Sequence, residues 1–342
     1  LPAPSSRSHR ERQRNGEHEM ILATYEADGG ADAIGVVDGH IVFDLAAGAE
    51  RAGKDPAPFA SMISLMELGD AGLDRVRTIH QRFAEDDDLN QPLAGVSLRS
   101  PVPVPAQICD FMVFPGHILN ASAGMRVLAA RIQGTAALPA DAKPGSEVPA
   151  IYRQQPIYYK ANRFSVIGTG QDVQWPAYSQ IMDYELEFGV FIGCGGQDIP
   201  LERAHEHIFG YAIFNDFSAR DTQMMEMQGR LGPSKGKDFA TGNAIGPWIV
   251  TRDEIPDPYS LSMVARVNGE AWSLGSSAGM LHSFEDIVAF VSRDETLHPG
   301  EYFGSGTTDG GCGLEQDRYL SDGDVVELEV ERIGVLRNCV RR

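Results

Sequence analysis

Asp183-Tyr184-Glu185-Leu186-Glu187-Phe188-Gly189-Val190-Phe191-Ile192-Gly193 is the stretch on which the reading of this chain turns. An apolar run of this length, closed by glycine, reads as a buried strand. Strand side chains alternate, so Asp183, Glu185 and Glu187 share one face and Tyr184, Leu186 and Phe188 take the other. Glu185 and Glu187 then stand about 6–7 Å apart at Cα, at a rise of ~3.3 Å per residue. Two carboxylates on a face covered by protein repel, and one takes up a proton unless a cation neutralises both. Taken alone, the pattern also suits a solvated edge face. The quality of the strand and the residues around it point to the cation.

Working outward, GYAIFNDFSARD (210–221) places a second buried-looking strand before Asn215 and Asp216, at a strand end where functional residues gather. Asp110 opens DFMVFPGHILN, with His117 seven residues on. Asp110, Glu185, Glu187 and Asp216 make an all-oxygen ligand set, which selects Mg²⁺, Mn²⁺ or Ca²⁺ over zinc or copper. Zinc prefers His or Cys ligands. His205-x-His207 lies on a charged, helix-like stretch and reads as surface. The four cysteines show no C-x-x-C spacing, which excludes a zinc ribbon or disulfide scaffold and makes a reducing cytoplasm the expected location.

The chain has 342 residues, 29 Lys+Arg and 48 Asp+Glu, a formal net charge of −19. That balance argues against a general nucleic-acid binder, which needs basic surface. No apolar run reaches the ~18 residues of a membrane helix. Residues 1–19 lack an apolar core and are read as a disordered or cloning-derived tail, with Met20 opening the folded protein; a transit peptide is the alternative. Residues 20–50 alternate like strands, 56–90 look helical, and the Pro-rich Arg99–Gln107 segment reads as a linker. The expected organisation is a small β-rich N-terminal domain at 20–100 and a catalytic domain at 106–342. From Cys109 onward short strands dominate, with helical pattern chiefly near 201–207 and 281–292. The order lacks βαβ alternation, so the expected class is α+β, mostly β.

DYELEFGVFIG, GYAIFNDFSARD, GKDFATGNAIGPWIVT, GSGTTDGG and GDVVELEVERIGVLRN together resemble the fumarylacetoacetate hydrolase superfamily. The resemblance runs through nearly all of residues 105–342, and residues 20–100 resemble the prefix domain of bacterial members. It implies a C-terminal mixed β-sandwich roll, dependence on a divalent cation and a homodimer. One group of members carries a G-x-N-Y-x-x-H-x-x-E segment. The fumarylacetoacetase type instead has Asp-Phe-x5-His-x-x-Asn and a distant Glu that orients the His. Asp110-Phe111, His117, Asn120 and Glu315 match the second type. The resemblance also places Lys237 with the catalytic groups, and Arg126, Tyr159, Gln223 and Thr307 at the substrate or the developing charge. Met112 stands where animal members have a substrate-contacting Tyr, and the segment before Lys237 is one residue longer; both bear on the identity of the substrate.

The implied chemistry is hydrolysis of a carbon–carbon bond in a fumarylacetoacetate- or acylpyruvate-like diketo acid, with His117 as base and Glu315 holding it. Oxaloacetate decarboxylation and oxo-dienoate isomerisation or hydration on the same scaffold are the alternatives. Arg220 and Asp221 are read as a structural ion pair. Gly275-Ser276-Ser277-Ala278-Gly279 satisfies G-x-S-x-G, and Asp286 and His298 follow in triad order. The preceding VNGEAWSL, however, reads as a hairpin rather than the buried strand a nucleophile elbow needs. A non-catalytic metal-bound β protein is the third reading.

Overall fold

A computed structural model describes residues 20–27, 29–134 and 144–342; the tail expected at 1–19 lies outside the described residues. Six strands frame the site: β1 (Ile21–Glu26), β2 (Ile108–Phe111), β3 (Leu186–Ile192), β4 (Ile208–Asp216), β5 (Asn243–Thr251) and β6 (Tyr302–Gly304). They lie in the order β1-β5-β4-β3-β6-β2 within a sheet of twelve strands among the described residues. Neighbours run antiparallel except β6 and β2, which are parallel. The N-terminal strands continue the same sheet beyond β1. Their junction with the rest is the pairing of Ile21 with Val250 and Leu22 with Ile249.

A second sheet of five strands, with Ser262–Val267 and Val325–Val330 near its middle, covers one face of the first. Leu186, Phe188, Val190 and Ile192 of β3 point into the core shared with that sheet and with the helix Phe284–Val291. Phe191 points the other way, into a core built with Phe43, Leu65 and Val76 of the N-terminal region. Both faces are therefore covered, and β3 and β4 are buried at every position. This explains why they read as continuous apolar runs. Each large apolar side chain so placed contributes about 1.5–3 kcal/mol.

The helical reading of 56–90 matches helices Met62–Met66 and Asp70–Phe83. The 201–207 segment is a 3₁₀ helix. The structure corrects the expectation of few helices after Cys109: α1 spans Pro115–Ile132, 18 residues. Gly116, Asn120, Ser122 and Gly124 dilute its apolar periodicity, and glycine costs about 1 kcal/mol against alanine in a helix. Pro115 suits the first turn, where no N–H is needed. Gly124 is required by packing, because a Cβ there would stand 2.5 Å from the Leu314 carbonyl oxygen. A shorter helix, α2 (Arg220–Glu226), follows β4. The VNGE segment is a hairpin turn, with Asn268 and Gly269 both at positive φ. Among the described residues no helix is long and apolar enough to cross a membrane.

Candidate active site

Alternation along the three strands aims Asp110 of β2, Glu187 of β3 and Asp216 of β4 at one region on a single face of the sheet. One carboxylate oxygen from each lies within 4.8 Å of the others. All three side chains are buried, and Asp110 Oδ1, Glu187 Oε2 and Asp216 Oδ1 are buried without a hydrogen-bond partner. Their other contacts are short and specific. Thr307 Oγ1 donates to Glu187 Oε1 at 3.1 Å, and Tyr159 donates its hydroxyl to Asp216 Oδ2 at 2.5 Å. Gly304 of β6 leaves room for the cluster, since a Cβ there would meet Asp110 Oδ1 at 2.6 Å.

Burial, followed by the neighbouring carboxylates, drives Asp110 and Glu187 well above the ordinary range. Asp216 is pushed up to about 6, burial and Glu185 raising it and Lys237 working against them. Orphaned buried oxygens are rare, and three neighbouring carboxylates that each keep one fit a divalent cation. Oxygens on opposite sides of an ion with bonds of about 2.0–2.6 Å stand about 4–5 Å apart.

Glu185, the fourth expected ligand, shares Lys237 with Asp216. Its carboxylate forms ion pairs with Lys237 and, at 2.8 Å, with Arg220 Nη2. Burial pushes it up, but the two cations outweigh burial and hold it at about 2. Lys237 is itself buried and reaches Asp216 Oδ2 at 2.6 Å. Arg220 also pairs with Asp183 at 2.8 Å and donates to Gln223 Oε1 at 2.9 Å. The expected Arg220–Asp221 ion pair is thus corrected: Asp221 accepts from Ser179 Oγ and the Gln180 N–H. Adjacent positions on a helix start do not face each other, and the buried guanidinium points to the DYE segment. Asp183, Glu185, Asp110, Glu187 and Asp216 set five negative charges against Arg220 and Lys237, a formal −3.

Beside this cluster stands His117, three residues into α1 and 3% exposed. Its Nδ1 lies 2.8 Å from Glu315 Oε1. His117, Asn120 Nδ2 and the Gly310 N–H outweigh burial and keep Glu315 below its ordinary range. An ionised carboxylate only accepts, so His117 donates from Nδ1, and in the neutral imidazole Nε2 is then the acceptor. Two anchors outside the expected set hold the dyad. Asp309 accepts the His117 N–H at 2.9 Å, capping α1, whose own N-cap residue has no capping side chain. Asp183 accepts the N–H groups of Gly313 and Leu314 at 2.8 and 2.9 Å, which fixes the turn bearing Glu315. Asp183 stands inside the quoted DYELE segment and Asp309 inside the quoted GSGTTDGG motif, so both lay in marked stretches, but no local pattern ties Asp309 to the start of α1.

Ten of the expected residues thus fall into one connected constellation, with Gln223 joined through Arg220. Arg126 is not brought to it by any of these bonds. It lies nine residues after His117, about half a turn out of phase on α1 at ~100° per residue. The alternative triad is not assembled either. Ser277 Oγ accepts the Leu261 N–H, while Asp286 caps its own helix with Ser283.

The family model described as fumarylacetoacetate (FAA) hydrolase C-terminal matches residues 128–341, more than half of the chain. The chain belongs to the fumarylacetoacetate hydrolase superfamily. An oxaloacetate tautomerase of Homo sapiens mitochondria is 36% identical over 190 residues, 55% of this chain and 59% of that protein. The match therefore spans about three fifths of this relative's length. A fumarylacetoacetate hydrolase from Exiguobacterium antarcticum superposes with a TM-score of 0.68 at 27% identity, covering 94% of this chain and 99% of its own. Maleylpyruvate hydrolase from Sphingobium sp. SYK-6, solved with manganese(II) and pyruvate, shares the fold at a TM-score of 0.68 and 24% identity, over 94% and 99% of the two chains. The superfamily fold is α+β and mostly β, as the sequence leads one to expect.

Proposed function

We propose that this superfamily member hydrolyses a carbon–carbon bond in a 1,3-diketo acid of the fumarylacetoacetate or acylpyruvate kind. Asp110, Glu187 and Asp216 would hold a divalent cation, Mg²⁺ or Mn²⁺ before Ca²⁺. The observation that carries the reading is a buried cluster of three carboxylates, each with an orphaned oxygen, together with a buried His117–Glu315 dyad. A bound cation supplies Lewis-acid polarisation of a chelated ketone oxygen. His117 Nε2 takes a proton from water, while Glu315 holds Nδ1–H and balances the imidazolium that forms. The water oxygen attacks the carbonyl carbon, and the Lys237 ammonium offsets charge on the carbonyl oxygen. On collapse the bonding electrons leave with the adjacent carbon as an enolate, and the proton held by His117 returns to that carbon. The products are a carboxylic acid and a keto acid. Tyr159 and Thr307 keep Asp216 and Glu187 in place. The manganese and pyruvate of the maleylpyruvate hydrolase are in keeping with both cation and product class.

The test is a panel of diketo acids followed by loss of diketone ultraviolet absorbance, with and without a chelator. Decay that depends on Mg²⁺ or Mn²⁺ and yields two carbon fragments is expected; turnover unchanged after exhaustive chelation overturns the proposal. The name of the human relative favours one second reading, keto–enol tautomerisation or isomerisation of an oxo acid. There the dyad would move a proton between carbon and oxygen without attack by water, and the product would keep the substrate's mass.

A further inference from the structure

The His117–Glu315 dyad has a third neighbour for which hydrolysis has no use. Cys312 is fully buried just before the turn that carries Glu315, and its Sγ stands 3.6 Å from Glu315 Oε1. His117 Nδ1 lies 2.8 Å from the same oxygen. One donor atom from each of the three falls within 4.8 Å of the other two. Among the described residues this is the one such cluster in which nitrogen, sulfur and oxygen donors meet; the other is all carboxylate. The two clusters differ in kind. Oxygen ligands suit hard cations, whereas imidazole with thiolate suits zinc and its neighbours. In a tetrahedral site with bonds of about 2.0–2.3 Å, donors stand roughly 3.3–3.7 Å apart. The Cys312–Glu315 separation already meets that spacing, and the His117–Glu315 contact needs to open by about half an ångström.

We propose that His117, Cys312 and Glu315 form a second metal site that binds Zn²⁺ or a similar borderline-soft divalent cation, with water in the fourth position. The thiolate and the carboxylate together neutralise the ion. Binding sends the thiol proton to solvent and shifts the imidazole proton from Nδ1 to Nε2, so one proton is released per ion. With Nδ1 on the metal, Nε2 becomes a donor and can no longer accept a proton from water. A zinc-loaded protein is then held inactive while its carboxylate cluster stays intact. That consequence rests on the proposed function; the binding itself does not.

Cobalt(II) reports on the site without turnover, because cobalt–thiolate coordination produces a charge-transfer band that oxygen ligands do not. Full-length protein pre-equilibrated with Mg²⁺ is titrated with Co²⁺. The expected result is a band that saturates at one equivalent and is bleached by Zn²⁺. It survives Cys194→Ser, which removes an exposed thiol elsewhere, and is lost in Cys312→Ser. His117→Ala, which keeps the thiol, should need about tenfold more Co²⁺ or beyond to reach half-saturation. Absence of the band from the natural protein, its survival in Cys312→Ser, or unchanged half-saturation in His117→Ala would each overturn the site. Should Cys312→Ser fail to fold, the natural protein and His117→Ala still decide. Failure of diketo-acid hydrolysis leaves this result untouched, so the two proposals stand or fall separately.

Discussion

At the scale of single residues, the site divides its carboxylates between two partners. Glu185 is satisfied by Lys237 and Arg220, while Asp110, Glu187 and Asp216 keep oxygens with no protein donor. Removing Lys237 should therefore harm the fold as well as the chemistry. Breaking a buried ion pair from one side costs roughly 3–5 kcal/mol, so Lys237→Met is expected to lower stability by about that amount in urea unfolding. His117→Ala should behave differently, losing roughly 10²–10⁴-fold in kcat while its Mn²⁺ affinity, read by calorimetry, stays within a factor of about 3. Glu187→Gln is expected to show the converse, weak Mn²⁺ binding with the dyad intact. The paired glutamates were legible as special because alternation and burial left them no solvent. Which of them would turn to Lys237 was not, since Lys237 is 52 residues away in sequence and reads locally as a loop charge.

At the scale of elements, β3 and β4 follow from their sequences directly. Tyr184, Leu186 and Phe188 do share one core, as period-two alternation requires. Helix α1 was hidden because the residues that fit it against the Glu315 turn are poor helix formers. Gly124 is the clearest case: alanine there would press on the Leu314 carbonyl oxygen at 2.5 Å, and Gly124→Ala should move the dyad apart and lower kcat. Asp309 ties the other end of α1 to the loop that bears Thr307. Asp309→Ala should cost about 1 kcal/mol, as loss of a helix cap does, and reduce kcat more than it raises KM. An unchanged kcat in that variant would show that the cap does not position His117.

At the scale of the whole molecule, the net charge of −19 is mostly solvated background, and three buried carboxylates give it a local meaning. Burial and neighbouring carboxylates raise all three, Asp216 to about 6. The metal-free folded state therefore binds protons that the unfolded chain releases. The contribution of these three groups to stability is greatest below the ordinary carboxylate range, and the share of Asp216 is lost as pH rises through about 6. A divalent cation replaces those protons, so the rise in Tm on adding Mg²⁺ or Mn²⁺ should grow between pH 5 and pH 8. At a hundredfold excess over Kd, binding adds about 2.7 kcal/mol, or about 5 °C at ~2 °C per kcal/mol; scanning calorimetry at several pH values measures it. The Pro-rich segment at 99–107 suggests a division near residue 100, whereas the continuous sheet that β1 makes with β5 depends on a pairing across more than 220 residues that no local pattern encodes.

Incubation of an acylpyruvate with the Mg²⁺-loaded protein in ¹⁸O-labelled water, with mass analysis of the products, tests the central claim most directly. Hydrolysis at this site predicts two fragments, with one ¹⁸O atom in the new carboxylate. A product that keeps the substrate's mass, or release of CO₂ without a labelled acid fragment, would contradict it.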